Sequence, residues 1–459
     1  MSKLLICVQL CAQLSVTALF APGSTQAAGY SIREQSVEAM GSAMAGAAAM
    51  TDGPSAQFAN PASLSWIRGN RVSAAAFPIR PDIRAETRSP SSTVLGTPIT
   101  GRQKVKAEES VTTGSLFFDH HLSRDLTLGL GITAPFGLAV DYPRDWAGRY
   151  YAQNAKLETL DVNPALAWRA NSSLSLGIGI SFQHTRTEIG TALDLGTINA
   201  LPVALGGFGN AFDALGLIPG DPDSDGRLVF RGKGTGVGWN AGLLWRSGGG
   251  TRLGVAYRSD VHIGLDGHLD YDLPGGELIS GGTGLFRDGK GELTLRNPGH
   301  FSVSLVHPTG LRWTLLADIT WTHWSVFDNL IVRAKDDSQL DVARRVDWQD
   351  NWRYSLGLGY SASDTLNLRA GLSFDGSATR EEGPFTAAAP DGNRLIATMG
   401  MSFSPDPSFG LDFAYQYMRF EDNRLDRDTI LPEDSLSGNV NVRYRSSAHI
   451  LGVQLRWSF

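Results

Sequence analysis

Four sets of residues carry side chains whose types could do chemistry, and spacing decides what each can do. Asp221-Pro222-Asp223-Ser224-Asp225-Gly226 begins like a calcium loop. The position that should supply a bidentate glutamate is Gly232, so the run reads as a solvated loop. His120 and His121 are neighbours at a strand end, face opposite ways and cannot form a metal pair. Ser181 and His184 lack the period-two relation that a serine nucleophile and its base would need on one strand face. No Ser-His-Asp order, paired carboxylate or phosphate loop stands out, so neither enzymatic activity nor a metal or cofactor is expected. The fourth set is Arg149, Arg186 and Arg353. A guanidinium can receive a carboxylate, with internal charge pairing as the competing use of each arginine.

The elements that must position these groups have a period of two. At the C-terminus Leu451, Val453, Leu455, Trp457 and Phe459 share one face, and Gly452, Gln454, Arg456 and Ser458 the other. The pattern recurs at 368–375, 352–361, 312–324, 251–263, 236–247 and 173–189, with the glycines mostly on one face, as close backbone contact or a crowded interior would require. Short turns alternate with long links centred near Ser91, Tyr142, Ala211, Gly281, Asp337, Pro384 and Leu431. About fourteen segments result, an even number with turns of two sizes, which is the pattern of an outer-membrane barrel.

Bulk properties agree. The 459 residues carry a net charge of -6, which gives no reason to expect a nucleic-acid partner. Mean hydropathy is -0.12, as expected where the lumenal half of every strand is polar. Residues 1–27 read as a signal peptide, with Lys3, an apolar core and small residues ending at Ala27. Both cysteines, Cys7 and Cys11, lie within it. No later apolar run is long enough for a spanning helix, so a membrane location requires a closed barrel.

Four further stretches stand out. Small residues from Gly41 through Gly46 to Ala49 suggest a thin helix packed in a crowded lumen. Asn60-Pro61-Ala62 forms a corner in which Pro61 holds Asn60 extended and frees its amide to bond exposed backbone. Pro135-Phe136-Gly137 interrupts the third strand, expected over 125–141, where proline cannot donate to a ladder and glycine weakens it, so a bulge or break is expected. The longest loop, 190–231, holds Leu201, Val203, Leu205, Phe208, Phe212, Leu215 and Leu217, too apolar a set for an ordinary surface loop. It suggests a binding groove, packing over the barrel mouth, or both.

Read in order, AGYSIREQSVEAMGSAMAGAAAMTDGPSAQFANPASLSW, then PFGLAVDYPRDWAGRYYAQNAKLETLDVNPALAW, GWNAGLLW, TRLGVAYRS, DITWTHWSVFDNL and DNWRYSLGLGY resemble the FadL/TodX family of outer-membrane transporters for long-chain fatty acids and other hydrophobic compounds. The resemblance implies an all-β fold: a transmembrane antiparallel barrel of about 14 strands over 70–459, plugged by an N-terminal hatch over 28–69. It implies passive uptake through an extracellular apolar groove, a deeper pocket and a sideways exit at the kinked third strand. It also places the Asn60 corner against that kink. Long-chain fatty acids are the first expected substrate, followed by aromatic hydrocarbons or other neutral hydrophobes; a structural or adhesive barrel is the remaining alternative. The implied partners are the substrate, outer-membrane lipid and, through Phe459, the barrel-assembly machinery, for a monomer in the bacterial outer membrane.

Overall fold

The computed structural model describes residues 29–88, 91–107, 110–336, 341–379, 389–427 and 436–459. The expected signal peptide with Cys7 and Cys11, and the link centres near Asp337, Pro384 and Leu431, lie outside the described residues.

The strands close into an antiparallel barrel of fourteen. They are β1 (Arg71–Thr87), β2 (Lys104–Ala107 continued by Val111–His121), β3 (Leu126–Asp141), β4 (Asn154–Arg169), β5 (Leu174–Leu193), β6 (Gly226–Arg246) and β7 (Arg252–Arg258 continued by Val261–Asp272). There follow β8 (Gly289–Asn297 and His300–Thr309), β9 (Trp313–Thr322 and Asn329–Ala334), β10 (Val342–Arg345 and Asn351–Ser361), β11 (Leu366–Asp375), β12 (Arg394–Asp406), β13 (Phe409–Phe420 and Asn423–Arg427) and β14 (Val440–Ser458). Each pairs with its neighbours, and β14 closes on β1 from Arg71 opposite Ser458 to Thr87 opposite Val442. Closure leaves no edge to be satisfied by water, which is what a sheet in lipid requires.

Alternation separates lipid from lumen. On β14, Leu451, Val453, Leu455 and Trp457 are 40–54% exposed while Gln454 between them is buried. Large apolar side chains are exposed in the same way around the barrel, among them Leu166, Ile178, Trp239, Leu315, Leu356 and Leu372. So much apolar surface in water would be a liability; on the wall of a barrel it is the lipid-facing band. No helix is long and apolar enough to cross a membrane among the described residues.

The inner face is filled by the N-terminal segment, residues 29–67, which is almost entirely buried. It bonds to strands on every side: Gln35 to β3, Gln57 to β4, Ala62 to β5, Asn60 to β6, Ala48 to β8 and Val37 to β14. The one-sided glycines of the strands mark where its backbone arrives. A Cβ on Gly254 of β7 would sit 1.9 Å from the Ala48 carbonyl oxygen, and one on Gly400 of β12 would sit 2.6 Å from Gly41 Cα. Only a residue without a side chain lets two backbones approach so closely.

The expected continuous helix through Gly41–Ala49 is not what forms. A single helical turn, α1 (Val37–Met40), is capped by the Ser36 side chain. The chain then turns through Ala43 and Met44, both at positive φ (54° and 64°), and Gly46 at 77°, before a short 3-10 turn at Ala47–Ala49. Local helix propensity yields because the segment bonds outward to the wall instead, for example Gly46 N–H to the Ala317 carbonyl of β9 at 3.1 Å.

Candidate functional site: the third-strand break and the apolar lumen

β3 is interrupted where proline and glycine interrupt the sequence. Its pairing with β4 runs in register to Thr133 opposite Asp161, then shifts by one residue and resumes at Phe136 opposite Thr159. On its other side, the ladder to β2 stops at Leu116 opposite Ile132. Beyond that point β3 has lost its neighbour. Pro135 supplies no N–H to extend a ladder, and the extra residue bends the strand.

The vacated edge is occupied by the first described residues of the chain. Ile32 N–H donates to the Pro135 carbonyl, and Gly137 N–H donates to the Tyr30 carbonyl, each at 2.8 Å. Ser31 and Phe136 are thereby antiparallel partners. One step on, the Gln35 side chain imitates a strand. Its amide nitrogen donates to the Ala134 carbonyl at 2.9 Å, and its amide oxygen accepts from Ala134 N–H at 3.2 Å. Ser115 of β2 donates to the Gln35 carbonyl at 2.8 Å, bridging the gap from the other side.

This corrects the expected position of the Asn60-Pro61-Ala62 corner. Asn60 bonds to β6 and within its own segment and makes no hydrogen bond to β3 among the described residues, while its neighbours Phe58 and Ala59 line a cavity shared with Pro135 and Phe136. The Asn60 amide donates to the carbonyls of Ala48 at 2.7 Å and Leu243 at 3.0 Å, and its oxygen accepts from Ala62 N–H at 2.9 Å. Gly242 and Gly177 provide the space, and Ser175 of β5 bonds to the Ala62 carbonyl. The corner holds the buried segment together; Tyr30 to Gln35 meets the break. The extended Tyr-Ser-Ile triplet was the available sequence signal for this pairing, but three residues are too short for periodicity to reveal a strand.

Above the break the lumen is apolar. Phe136, Leu138, Leu157, Phe230, Leu265 and Val442, contributed by β3, β4, β6, β7 and β14, join one buried cluster. Its aromatic centre is Tyr30, packed with Phe136, Trp324, Phe327 and Trp348 at ring-centroid distances of 5.0–5.9 Å. Sequence reasoning passed over Tyr30, Trp324, Phe327 and Trp348, because the last three lie in irregular links between strand segments. Below the aromatics is a cavity of about 30 Å³ lined by Arg33, Pro135, Phe136, Arg258, His300, Asp318 and Arg353. That is room for about one water.

The three candidate arginines part company. Arg353 lies on β10, is 4% exposed and lines this cavity, with its Nε buried without a hydrogen-bond partner. Arg186 is on the outward face of β5, among exposed charges. Arg149 sits outside the strands in the link between β3 and β4, fully buried. It donates from Nε to Asp225, from Nη1 to the carbonyls of Thr100 and Trp146, and from Nη2 to Tyr150 and the Gly220 carbonyl. With all five donors engaged it is a clasp between loops and has nothing left for a headgroup. Burial pushes the Asp225 carboxyl up to about 6 against the opposing pull of Arg149, and burial likewise raises the Tyr150 hydroxyl. The remaining candidates also find plain positions. Asp221 caps its own turn at Asp223 N–H, and Asp225 is taken by the clasp. Ser181 is buried in the lumen, bonded to Asp161 at 2.6 Å, with His184 on the other face of β5. His121 meets Thr127, and His120 stacks beside Phe118.

The long loop between β5 and β6 begins with α2 (Leu195–Ala200) and packs against α3 (Glu277–Thr283) of the next long link. Leu195, Ile198, Ile279 and Phe286 are the buried centre, with Phe208, Phe212, Leu215 and Leu217 half-buried against it. Leu201 is buried, whereas Val203 and Leu205 are 72% and 68% exposed. The candidate groove residues therefore divide between packing of two loops and a small exposed apolar edge.

The family model described as outer membrane protein transport protein (OMPP1/FadL/TodX) matches residues 18–459. Outer membrane protein P1 of Haemophilus influenzae is 26% identical over 462 residues, covering 97% of this chain and 98% of that protein. The long-chain fatty acid transport protein of Escherichia coli K12 is 27% identical over 413 residues, covering 86% and 89%. Among solved structures, a FadL homologue of Pseudomonas aeruginosa superposes with a TM-score of 0.83 at 24% identity, covering 94% of this chain and all of that one (100%). The toluene transporter TodX of Pseudomonas putida gives 0.68 at 18% identity, covering 95% and 100%.

Proposed function

The chain belongs to the OMPP1/FadL/TodX family of outer-membrane transport proteins, and from that premise we propose that it admits long-chain fatty acids by diffusion through the lumen and out through the wall beside β3. It is an outer-membrane protein, and its relatives are transport proteins rather than enzymes. The observation that carries the finer reading is the joining of two unlike surfaces at one place: an apolar, aromatic upper lumen, and directly beneath it a buried arginine, Arg353, with an unused donor beside Pro135 and Phe136. An acyl chain leaves water for the first, which is favourable by roughly 25 cal/mol per Å² of apolar surface. A carboxylate finds its partner at the second.

In this reading residues 28–69 are the plug and the apolar edge at Val203 and Leu205 is the landing point. A cavity the size of one water cannot hold an acyl chain, so the Tyr30–Gln35 segment must leave the β3 edge during passage. Gly41, Gly46, Asn60, Pro61 and Ala62 seat the plug; Pro135, Phe136 and Gly137 shape the exit. A second reading, uptake of neutral aromatic hydrocarbons, is favoured by the Tyr30, Phe136, Trp324, Phe327 and Trp348 cluster. The test is uptake of labelled oleate and labelled toluene by cells that lack their own route for either and express this chain. Oleate uptake above the empty-vector control is expected; a gain for toluene alone favours the second reading, and a gain for neither removes both.

A further inference from the structure

One large cavity lies outside the lumen. It is a groove of about 900 Å³ on the outer wall, across the extracellular ends of β4 to β9. Its lining carries six basic and three acidic side chains, in a chain whose net charge is -6. Part of this charge is internally matched. Arg231 pairs with Glu188 at 2.9 Å and Asp270 at 2.7 Å, and Lys335 pairs with Asp266 at 2.7 Å. Arg186, Lys233 and Lys290 are exposed and form no ion pair among the described residues.

Register makes the excess specific. Arg186 of β5 stands directly opposite Lys233 of β6. Like charges directly opposite each other destabilise a sheet; in the same row Glu158 of β4 stands opposite Arg186 and Asp266 of β7 opposite Lys233 on their other sides, so the like-charge contact lies at the middle of the row. An anion bound from outside would reverse the sign of that contact. The height of the groove fixes where such an anion must come from. Phe182, 48% exposed, belongs to the lipid-facing row of β5 and is two outward positions below Arg186. Four residues of strand tilted by about 40° rise roughly 10 Å. The interfacial layer of a bilayer extends roughly 5–8 Å beyond its hydrocarbon, and long basic side chains reach back across the difference.

We propose that this groove holds the phosphorylated headgroup of an outer-leaflet lipid, with Arg186 and Lys233 gripping one phosphate and Lys290 at the far wall, while the acyl chains lie against the apolar row below. The occupant is a lipid because the basic side chains stand within reach of the interfacial layer, with only the row of His184 and Thr235 between them and the lipid-facing Phe182 and Val237.

The experiment is native mass spectrometry of the full chain in detergent, titrated with diphosphoryl lipid A, with its dephosphorylated form, and with inorganic phosphate as competitor. Wild type is expected to retain the diphosphoryl form. Combining Arg186→Gln, Lys233→Gln and Lys290→Gln is expected to weaken binding about a hundredfold, each basic side chain near an anionic surface being worth roughly fivefold. The dephosphorylated lipid should bind wild type no better than the diphosphoryl form binds the triple variant. Heat-dependent electrophoretic mobility reports barrel folding; if the triple variant does not fold, Lys233→Glu alone gives the same reading. Equal retention of both lipids by wild type, unchanged affinity in the folded variant, or displacement by equimolar inorganic phosphate would each overturn the proposal.

Discussion

Gly137 donates its backbone N–H to the carbonyl of Tyr30 at 2.8 Å, so a residue from the start of the chain takes the place of a neighbouring strand on β3. The wall is complete there only because residues 30–35 complete it. Two regular bonds, a side-chain imitation by Gln35 and one serine hold the patch. The rest of the buried segment is anchored by charge and by close backbone contact. Glu38 and Asp412 flank Arg456 at 3.3 Å and 2.7 Å, and Asp52 meets Arg369 at 3.1 Å. Residues 30–35 also reach beyond the gap, where Tyr30 donates to the Arg296 carbonyl, Arg33 to Thr322, and Glu34 accepts from Gln416, so their release must break these contacts as well.

Gln35→Ala removes both bonds to Ala134. Each is worth about 1 kcal/mol net, so opening of the patch should become about thirtyfold more frequent while the barrel stays intact. Amide exchange at Ala134 and Gly137 should accelerate accordingly; unchanged exchange would mean that Gln35 does not hold the patch.

Arg353→Met keeps the volume of the side chain and removes its donors. Uptake of oleate should fall about tenfold, with little change for a neutral hydrocarbon, because only the carboxylate loses a partner. Equal losses for both substrates would assign Arg353 to packing.

The loop clasp is a test of pH dependence. An aspartate in an unfolded chain ionises near 3.9, whereas burial pushes Asp225 up to about 6. Between these values the folded protein holds the proton that the unfolded chain has released. The contribution of Asp225 is then greatest below the lower value and is lost as pH rises through the higher one. The thermal midpoint of wild type should fall from pH 4.5 to pH 7 by more than that of Asp225→Asn. Arg149→Met strands a buried carboxylate and should cost roughly 3–5 kcal/mol, read as protease cleavage of the extracellular loops at pH 7.

Gly254→Val places a branched side chain where Cβ alone would lie 1.9 Å from a backbone oxygen of Ala48. Neither backbone can yield without unseating the buried segment. Planar bilayers containing the variant should conduct small ions that wild type excludes; a closed variant would show that residues 29–67 do not seal the lumen.

What the sequence made legible follows from physics with a short period. Alternation reached the eye in β14 and β5 because lipid and lumen impose opposite demands on successive residues. Pro135 and Gly137 announced the β3 interruption because proline has no N–H to offer. The glycines on one face announced close contact, but not with which segment. Placement of Asn60 was missed because a corner with a free amide is equally suited to any exposed carbonyl, and here Leu243 of β6 receives it. Arg149, Arg186 and Arg353 were indistinguishable in sequence. Two strand faces and a loop separate them, and for the arginine outside the strands no period exists to read.

A disulfide between Ser31→Cys and Phe136→Cys would fasten the start of the chain to β3. These residues are partners in the non-hydrogen-bonded position, where opposed Cα atoms lie about 4.5 Å apart, within the reach of a disulfide. The only native cysteines, Cys7 and Cys11, precede the residues in question. Oleate uptake should be lost when the bond is formed and should return on reduction, with barrel mobility on gels unchanged throughout. Uptake at the wild-type rate by fully cross-linked protein would contradict a lateral route at β3 that depends on release of residues 30–35.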